Sequence, residues 1–371
     1  MPLPPLVDVG PELTPEEVRR TSRQWMLSEL GEAGQRRLAA ARVLVIGAGG
    51  IGSPVLLYLT AAGVGTIGII DDDRVETSNL QRQVIHAMTD VGSLKVDSAA
   101  STLAGLHPGI SVQTHPVRFD SDNGKGIAAG YDLVIDGSDN FDTRYAADDV
   151  CAALGIPLIW GAVLRFDAQL SVFWAHPPVG VGVRLRDLFP VPPAPGEVPS
   201  CSEAGVLGAL CGQAGAIMAA EAVKLITGVG ESLLGRVLVI DALSARAREV
   251  AITASPAGAT RARAGEPASA SAHIDADALA ARLAARDRGE DSFLLLDVRE
   301  PSEHAERAIP GSVLHPLGEV LRDPSTIDIA LPVIVHCLVE ARAERAAAVL
   351  SAAGADVTVL RGGITAWGER S

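Results

Sequence analysis

Three groups of residues in this chain have types and spacings that could do chemistry. The first is Gly47, Gly49 and Gly52, in the spacing G-x-G-x-x-G between a β-favouring apolar run (Val43 to Ile46) and a helix-like apolar run. A second strand-like run, Thr66 to Ile70, then ends in Asp71, Asp72 and Asp73. Glycines in that place let the backbone turn tightly and approach a phosphate. The helix start offers free N–H groups, and an acid about 20 residues on is placed for a ribose hydroxyl. The bare spacing is weak evidence; between a strand and a helix it points to a nucleotide. It does not choose one, and a nicotinamide-dependent dehydrogenase is the usual owner of the fingerprint.

The second group is polar. Glu76-Thr77-Ser78-Asn79-Leu80-Gln81-Arg82-Gln83 is a dense polar loop, Lys95 opens the next helix, and a strand from Asp132 to Asp136 runs into Gly137-Ser138-Asp139-Asn140. Polar clusters just past the carboxyl ends of strands in an open α/β sheet are where such folds bind ligands. The third group is thiols. The four cysteines include no C-x-x-C pair, so neither a disulfide framework nor a cysteine zinc knuckle is supported. Cys201 sits just ahead of a long apolar helix. Cys337 follows a strand and precedes a helix whose N–H groups and dipole would favour a thiolate. Cys151 and Cys211 lie in apolar helical contexts and read as core.

The elements that must position these groups are α/β throughout. Up to about Ala40 runs an N-terminal arm and helix, with Thr14 as cap, Pro15 at the first helical position and Glu16 and Glu17 in the first turn. Its Arg19-Arg20-Thr21-Ser22-Arg23 cluster reads as a solvated face. Runs from Pro157 to Trp160 and Gln169 to Trp174 are expected as the antiparallel edge of the sheet. Pro177 to Cys201 is a long proline-rich loop of the kind that is usually functional or disordered. Val206 to Thr227 is long enough to cross a bilayer, but Gln213, Glu221 and Lys224 make it a buried helix. Gly235 to Asp241 is a further strand. Residues 254–272, built from Ala, Ser, Pro, Gly, Thr, Arg and Glu, read as a linker. The expected organisation is a first domain over 1–253, the linker, and a second domain over 273–371, with strands at 293–298, 333–336 and 356–360 and a helix at 341–352.

Composition limits the partners. The 371 residues have room for roughly two or three domains. Apolar residues make up 48% and aromatics 4%, so the core is of Ala, Val, Leu and Ile. A net charge of -14 argues against a broad nucleic-acid partner, which needs a basic surface. The N-terminus holds no apolar signal core, which places the chain in the cytoplasm by expectation.

With the Asn79 to Gln83 stretch, Lys95 and the Asp136 to Asn140 stretch in place, the first domain resembles the ubiquitin-activating-like adenylyltransferases, and among them the MoeB/ThiF-type enzymes that activate sulfur-carrier proteins. The second resembles a rhodanese, through Leu296-Asp297-Val298-Arg299-Glu300, Ile309-Pro310-Gly311-Ser312, His336-Cys337 and Leu360-Arg361-Gly362-Gly363-Ile364-Thr365-Ala366-Trp367. The fold class implied is a Rossmann-like mixed sheet followed by a small α/β rhodanese-like domain. The resemblance implies that ATP adenylates a carrier's C-terminal Gly-Gly carboxylate and that a persulfide converts the adenylate to a thiocarboxylate. It implies Arg82 and Lys95 as the cations at the developing charge, Asp139 as the Mg²⁺ ligand and Asn79 as a phosphate or metal-shell contact. Asp71 becomes the ribose partner and Asp73 a neighbour of the phosphates, with Gln83 beside them. Arg23 matches an N-terminal arginine that reaches the other subunit's ATP, which implies a homodimer.

Cys337 then becomes the sulfur-carrying thiol and Cys201 a covalent or relay cysteine. Two departures matter. The rhodanese loop is usually Cys, a basic or polar residue, a small residue, Gly, a variable residue, Arg, and Ser or Thr; here it is Cys337-Leu338-Val339-Glu340-Ala341-Arg342-Ala343. Glu340 in the glycine position opposes a tight anion-holding turn, so a persulfide delivered by a partner protein is favoured over free thiosulfate. The family's two zinc-holding C-x-x-C pairs are absent, so no zinc is expected. Two rival readings stand beside this one: an adenylyltransferase whose rhodanese domain only docks partners, and a non-catalytic nucleotide-binding scaffold.

Overall fold

The computed structural model describes residues 3–193, 204–252, 272–338 and 341–368. The chain forms two compact units, which part within the segment between Ile252 and Ala272.

The first unit is built on an eight-stranded sheet. Its strands are β1 (Arg42–Ile46), β2 (Thr66–Ile70), β3 (Ser111–His115), β4 (Leu133–Asp136), β5 (Leu158–Leu164), β6 (Asp167–Phe173), β7 (Arg236–Asp241) and β8 (Arg246–Ala251), in spatial order β3-β2-β1-β4-β5-β6-β7-β8. Apart from Arg42, Thr66 and Asp136 at their ends, β1, β2 and β4 are near-continuous apolar runs because parallel strands bury both faces. Ile46 of β1 pairs with Ile70 on one side and with Asp136 on the other, so three carboxyl ends finish level. From β1 the chain winds outward to β2 and β3, then returns to β4 on the opposite side. That reversal opens a crevice beyond the strand ends, where sheets of this kind bind ligands.

Helices α1 (Pro15–Trp25), α2 (Gly31–Ala40), α3 (Gly52–Ala62), α4 (Lys95–Leu106), α5 (Gly124–Ala128), α6 (Phe141–Leu154), α7 (Leu185–Leu188) and α8 (Gly208–Thr227) complete the unit. Among the described residues α8 alone is long and apolar enough to cross a membrane. It packs against α2, α3, β5 and β6, and its Glu221 carboxylate accepts the Leu233 N–H at 2.8 Å. Thr14 and Glu17 form a reciprocal capping box at the start of α1.

Two sequence expectations are corrected. The runs at 157–160 and 169–174 are not the sheet's edge. β5 is an interior strand, parallel to β4, and β5 and β6 pair antiparallel with β7 and β8 still beyond. Gly161 hid this by interrupting the apolar run; a Cβ there would stand 2.5 Å from the Met218 Sδ, where α8 lies close to the strand. Nor is Arg20 part of a solvated face. It reaches Thr60 O at 2.6 Å and Ala61 O at 3.2 Å, adding to the Gly63 N–H that already bonds Thr60 O at the end of α3.

The second unit is a five-stranded parallel sheet of β9 (Ala272–Ile274), β10 (Leu294–Asp297), β11 (Val313–Leu314), β12 (Val333–His336) and β13 (Val357–Leu360), in order β11-β10-β12-β13-β9. Helices α9 (Ala276–Asp287), α10 (Pro301–Glu306), α11 (Leu317–Arg322), α12 (Ala341–Ala352) and α13 (Gly363–Gly368) accompany it. Separate apolar clusters fill the two faces of the sheet. Ala272, the last residue of the expected linker, already pairs with Thr358; residues 253–271 lie outside the described ones.

Candidate nucleotide and thiol sites

A cleft at the strand reversal of the first unit is lined by Gly47, Gly49, Asp71, Asp73, Arg82, Gln83, Lys95 and Asp139, residues drawn from the connections that follow β1, β2 and β4. The glycine loop sets its floor. Gly47 has φ +88, and a Cβ on Gly52 would stand 1.8 Å from the Gly47 carbonyl oxygen, so the turn tolerates no side chain there. Gly52 therefore supports the loop and is not among the residues on the cleft wall. A Cβ on Gly49 would instead find nothing nearer than Gln83 Nε2 at 3.7 Å. That bare backbone faces open space of the kind a phosphate fills.

The acids and cations are tied to this floor. Asp71 Oδ2 accepts the Ala48 N–H at 2.8 Å and Oδ1 accepts the Asp73 N–H at 2.9 Å. Burial raises its pKa, and the charge of Lys95 works in the opposite direction. Lys95 donates its backbone N–H to Asp73 O at 3.0 Å, which fixes the start of α4, while its ammonium reaches Asp73 Oδ2 at 2.7 Å. The Lys95 side chain is 7% exposed and that of Asp73 66%, so the pair is solvated from one side only. Arg82 lies across Gly50, whose Cβ would stand 3.3 Å from Arg82 Cγ. Asp139 is exposed in the turn before α6, whose N-cap Asn140 accepts the Thr143 N–H at 2.9 Å. The carboxylates of Asp71, Asp72 and Asp73 lie within 4.8 Å of one another, an oxygen-rich group to which a hard divalent cation is suited.

Sequence reading missed several neighbours. His86 is buried, with Nε2 3.0 Å from Ala48 O and Nδ1 2.8 Å from Ser98 Oγ. A carbonyl only accepts, so Nε2 carries the hydrogen; burial holds the ring's pKa below its ordinary value. The ring thereby joins the glycine loop to α4. Arg118 and Arg144 also line the cleft, and Arg144 donates to Ser138 O at 3.0 Å from the first turn of α6. A cation there opposes the helix dipole, and that conflict was the available signal. Cys211 is buried as expected, yet it too faces the cleft, 3.1 Å from where a Gly50 Cβ would be. Cys151 is core, and burial pushes its thiol pKa far up.

Other expected residues are elsewhere. The Asn79 carboxamide oxygen accepts the Glu76 N–H at 3.1 Å, holding a turn, and Asn79 is not among the cleft residues. The side chain is thus engaged locally in this structure. Arg23 is exposed on α1 and does not line this chain's cleft. Cys201 lies outside the described residues.

In the second unit Cys337 follows β12 and is 1% exposed. Its carbonyl accepts the Ile364 N–H at 2.8 Å, and that of Leu338 accepts both the N–H (3.1 Å) and Oγ1 (2.8 Å) of Thr365. The Gly362-Gly363 turn, φ +70 and +58, makes this clamp possible. Behind the thiol, Asp297 is held to a pKa of about 2: burial pushes it up, but hydrogen bonds from Arg299 and His304 outweigh that. Burial lowers His336 to about 4. Val339 and Glu340 lie outside the described residues.

Comparison with known proteins matches the ThiF family over residues 21–260 and the rhodanese-like domain over residues 276–370. The chain is 43% identical over 381 residues to the probable adenylyltransferase/sulfurtransferase MoeZ of Mycobacterium tuberculosis, spanning 99% of this chain and 97% of that one. It is 49% identical over 245 residues to the sulfur carrier protein adenylyltransferase of Thermus thermophilus, spanning 66% and 90%. Among solved structures, that of E. coli MccB with ATP superposes with a TM-score of 0.56 at 21% identity, covering 66% of this chain and 74% of that one, which speaks for the fold alone. The chain belongs to the ThiF family, with a rhodanese-like domain in the same polypeptide, and is an enzyme of the adenylyltransferase and sulfurtransferase type.

Proposed function

We propose that this enzyme uses Mg-ATP to adenylate the C-terminal Gly-Gly carboxylate of a ubiquitin-like sulfur-carrier protein, that the outer sulfur of a Cys337 persulfide displaces AMP from the adenylate, and that a second thiol breaks the resulting S–S bond to release the thiocarboxylate. The observation that carries the reading is the convergence of the glycine floor, Asp71, Arg82, Lys95 and Asp139 on one cleft. The bare backbone at Gly49 fits a phosphate chain, and Asp71, at the end of β2, fits a ribose hydroxyl. ATP when bound supplies the electrophilic α-phosphorus and pyrophosphate as leaving group.

An anionic carboxylate approaching an anionic phosphate is opposed by repulsion. Lys95 and Arg82 offset it by standing where negative charge builds up. Phosphate oxygens are better partners for Lys95 than the solvated Asp73 carboxylate, so the cation can change partner without leaving its place. Asp139 would hold Mg²⁺, with Asp71 to Asp73 as further oxygen donors lining the same cleft. Zinc has no part in this reading, since the chain has no C-x-x-C pair.

The enzyme is read as a cytoplasmic homodimer in which Arg23 serves the other subunit's nucleotide. A protein such as a cysteine desulfurase supplies the persulfide, and Cys201 takes part in transfer. The similarity to a relative named for adenylating sulfur carriers supports the carrier as substrate. A second reading, with the rhodanese-like unit as docking module only, is favoured by the burial of Cys337. Intact-mass analysis of a Gly-Gly-ended carrier after incubation with enzyme, Mg-ATP and a persulfidated donor separates the two. Replacement of one carboxylate oxygen by sulfur, lost in Cys337→Ser, supports the first; undiminished conversion by Cys337→Ser leaves only the second.

A further inference from the structure

The second unit contains an ion pair that the steps above do not use. Arg342, in the first turn of α12 just after the thiol loop, gives both terminal nitrogens to Glu303: Nη1 to Oε2 and Nη2 to Oε1, each at 2.7 Å. The parallel two-bond geometry occupies the guanidinium edge that would otherwise meet an oxyanion. Glu303 is fixed in turn, because its Oε2 also accepts the Glu300 N–H at 2.9 Å at the start of α10. The Arg342 charge is within electrostatic reach of Cys337. A cation beside a thiolate at a helix start is what a small dianion such as thiosulfate needs in order to approach. Here that cation already has its counter-anion. Leu338, the next residue after the thiol, is 41% exposed, so the side chain neighbouring the thiol is apolar.

We infer that Glu303 is a specificity-determining residue: as a built-in counter-anion for Arg342 it excludes small sulfur-bearing dianions from Cys337 and reserves the thiol for a persulfide carried on a protein cysteine. The inference rests on the reading of Cys337 as the sulfur carrier. In the reserved step the Cys337 thiolate attacks the outer sulfur of the donor's persulfide, the new S–S bond forms on Cys337, and the donor cysteine leaves as its thiol. In the excluded step the same thiolate would attack the outer sulfur of thiosulfate and expel sulfite.

The test uses the full chain, with sulfur on the Cys337 peptide read by mass spectrometry after exposure to thiosulfate or to a persulfidated cysteine desulfurase. The wild-type thiol takes sulfur readily from the protein donor and only slowly from thiosulfate. Glu303→Gln keeps an oxygen for the Glu300 N–H but frees Arg342. Uptake from thiosulfate then rises about tenfold, the worth of one charged contact, while uptake from the protein donor changes far less. A second readout needs no sulfur transfer: the rate of Cys337 alkylation by anionic iodoacetate relative to neutral iodoacetamide rises in the variant. Unchanged thiosulfate uptake and an unchanged alkylation ratio in a folded Glu303→Gln protein overturn the inference. Should the variant not fold, wild-type Cys337 taking sulfur from thiosulfate as fast as from the protein donor overturns it equally. Uptake from neither donor, with the alkylation ratio still rising on substitution, removes the sulfur-carrying reading and leaves the charge role of Glu303 standing.

Discussion

The nucleotide cleft and the thiol loop are both helix starts following strands, and both present a cation; they differ in what that cation already holds. Lys95 is paired with an Asp73 that is two-thirds exposed, a partner water can take over once a phosphate arrives. Arg342 is paired in two-bond fashion with a Glu303 carboxylate that is itself hydrogen-bonded and only 30% exposed. The first arrangement is ready to receive an anion and the second has its anion built in. A basic residue near a reactive group therefore says little about anion binding until its existing partner is known.

Substitutions can break this comparison on either side. The largest effect is expected at Lys95. Lys95→Ala removes the cation and leaves a solvated carboxylate, so pyrophosphate exchange into ATP should fall about 10²- to 10³-fold with little change in melting temperature. Melting that collapses along with activity would make Lys95 a structural residue instead. Gly52→Ala comes next: its Cβ would have to displace the Gly47 carbonyl. That overpacking should cost about 3 kcal/mol in denaturant unfolding of the first unit and abolish nucleotide binding. A variant that binds ATP normally would show the glycine floor to be unimportant.

Acid should act chiefly on the second unit. His336 has a folded pKa of about 4 against an ordinary 6.5, and Asp297 about 2 against 3.8. Each binds fewer protons folded than unfolded between those values. Stability from both is fully present near neutral pH, declines as pH falls from 6.5 through 4, and declines further toward 2. The two together are worth a few kcal/mol. Calorimetry of the full chain should show the transition of the rhodanese-like unit moving down in this window, and a transition flat across it would contradict the assignment. The smallest effect is at Arg20, where Arg20→Ala should cost about 1 kcal/mol through loss of its hydrogen bonds to Thr60 O and Ala61 O, measured by chemical denaturation.

Legibility in the sequence followed the distance along the chain over which each feature is built. The glycine loop and its acids lie within one strand–turn–helix–strand unit, so residue order alone exposed Gly47, Gly49, Gly52 and Asp71. That Arg82, Lys95 and Asp139 should meet there needed a family resemblance, because separate loops bring them together. His86 and Arg144 escaped notice because their importance lies in contacts: with Ala48, with Ser138, and with the cleft. The ligand role of Asn79 came from the resemblance alone, and residue order gave no sign that its carboxamide oxygen also holds its own turn. β9 and β11, three and two residues long, are too short to show a period, and they exist only because neighbouring strands offer them partners. Glu303 drew no reading from the sequence, because its role depends on Arg342, 39 residues further along the chain.

Carrier-dependent exchange of labelled pyrophosphate into ATP tests the central claim most directly. With a ubiquitin-like carrier ending in Gly-Gly, label should enter ATP, and removal of the terminal glycine should stop it. Absence of exchange with every such carrier, or exchange that proceeds equally without one, would contradict adenylation of a carrier carboxylate at this cleft.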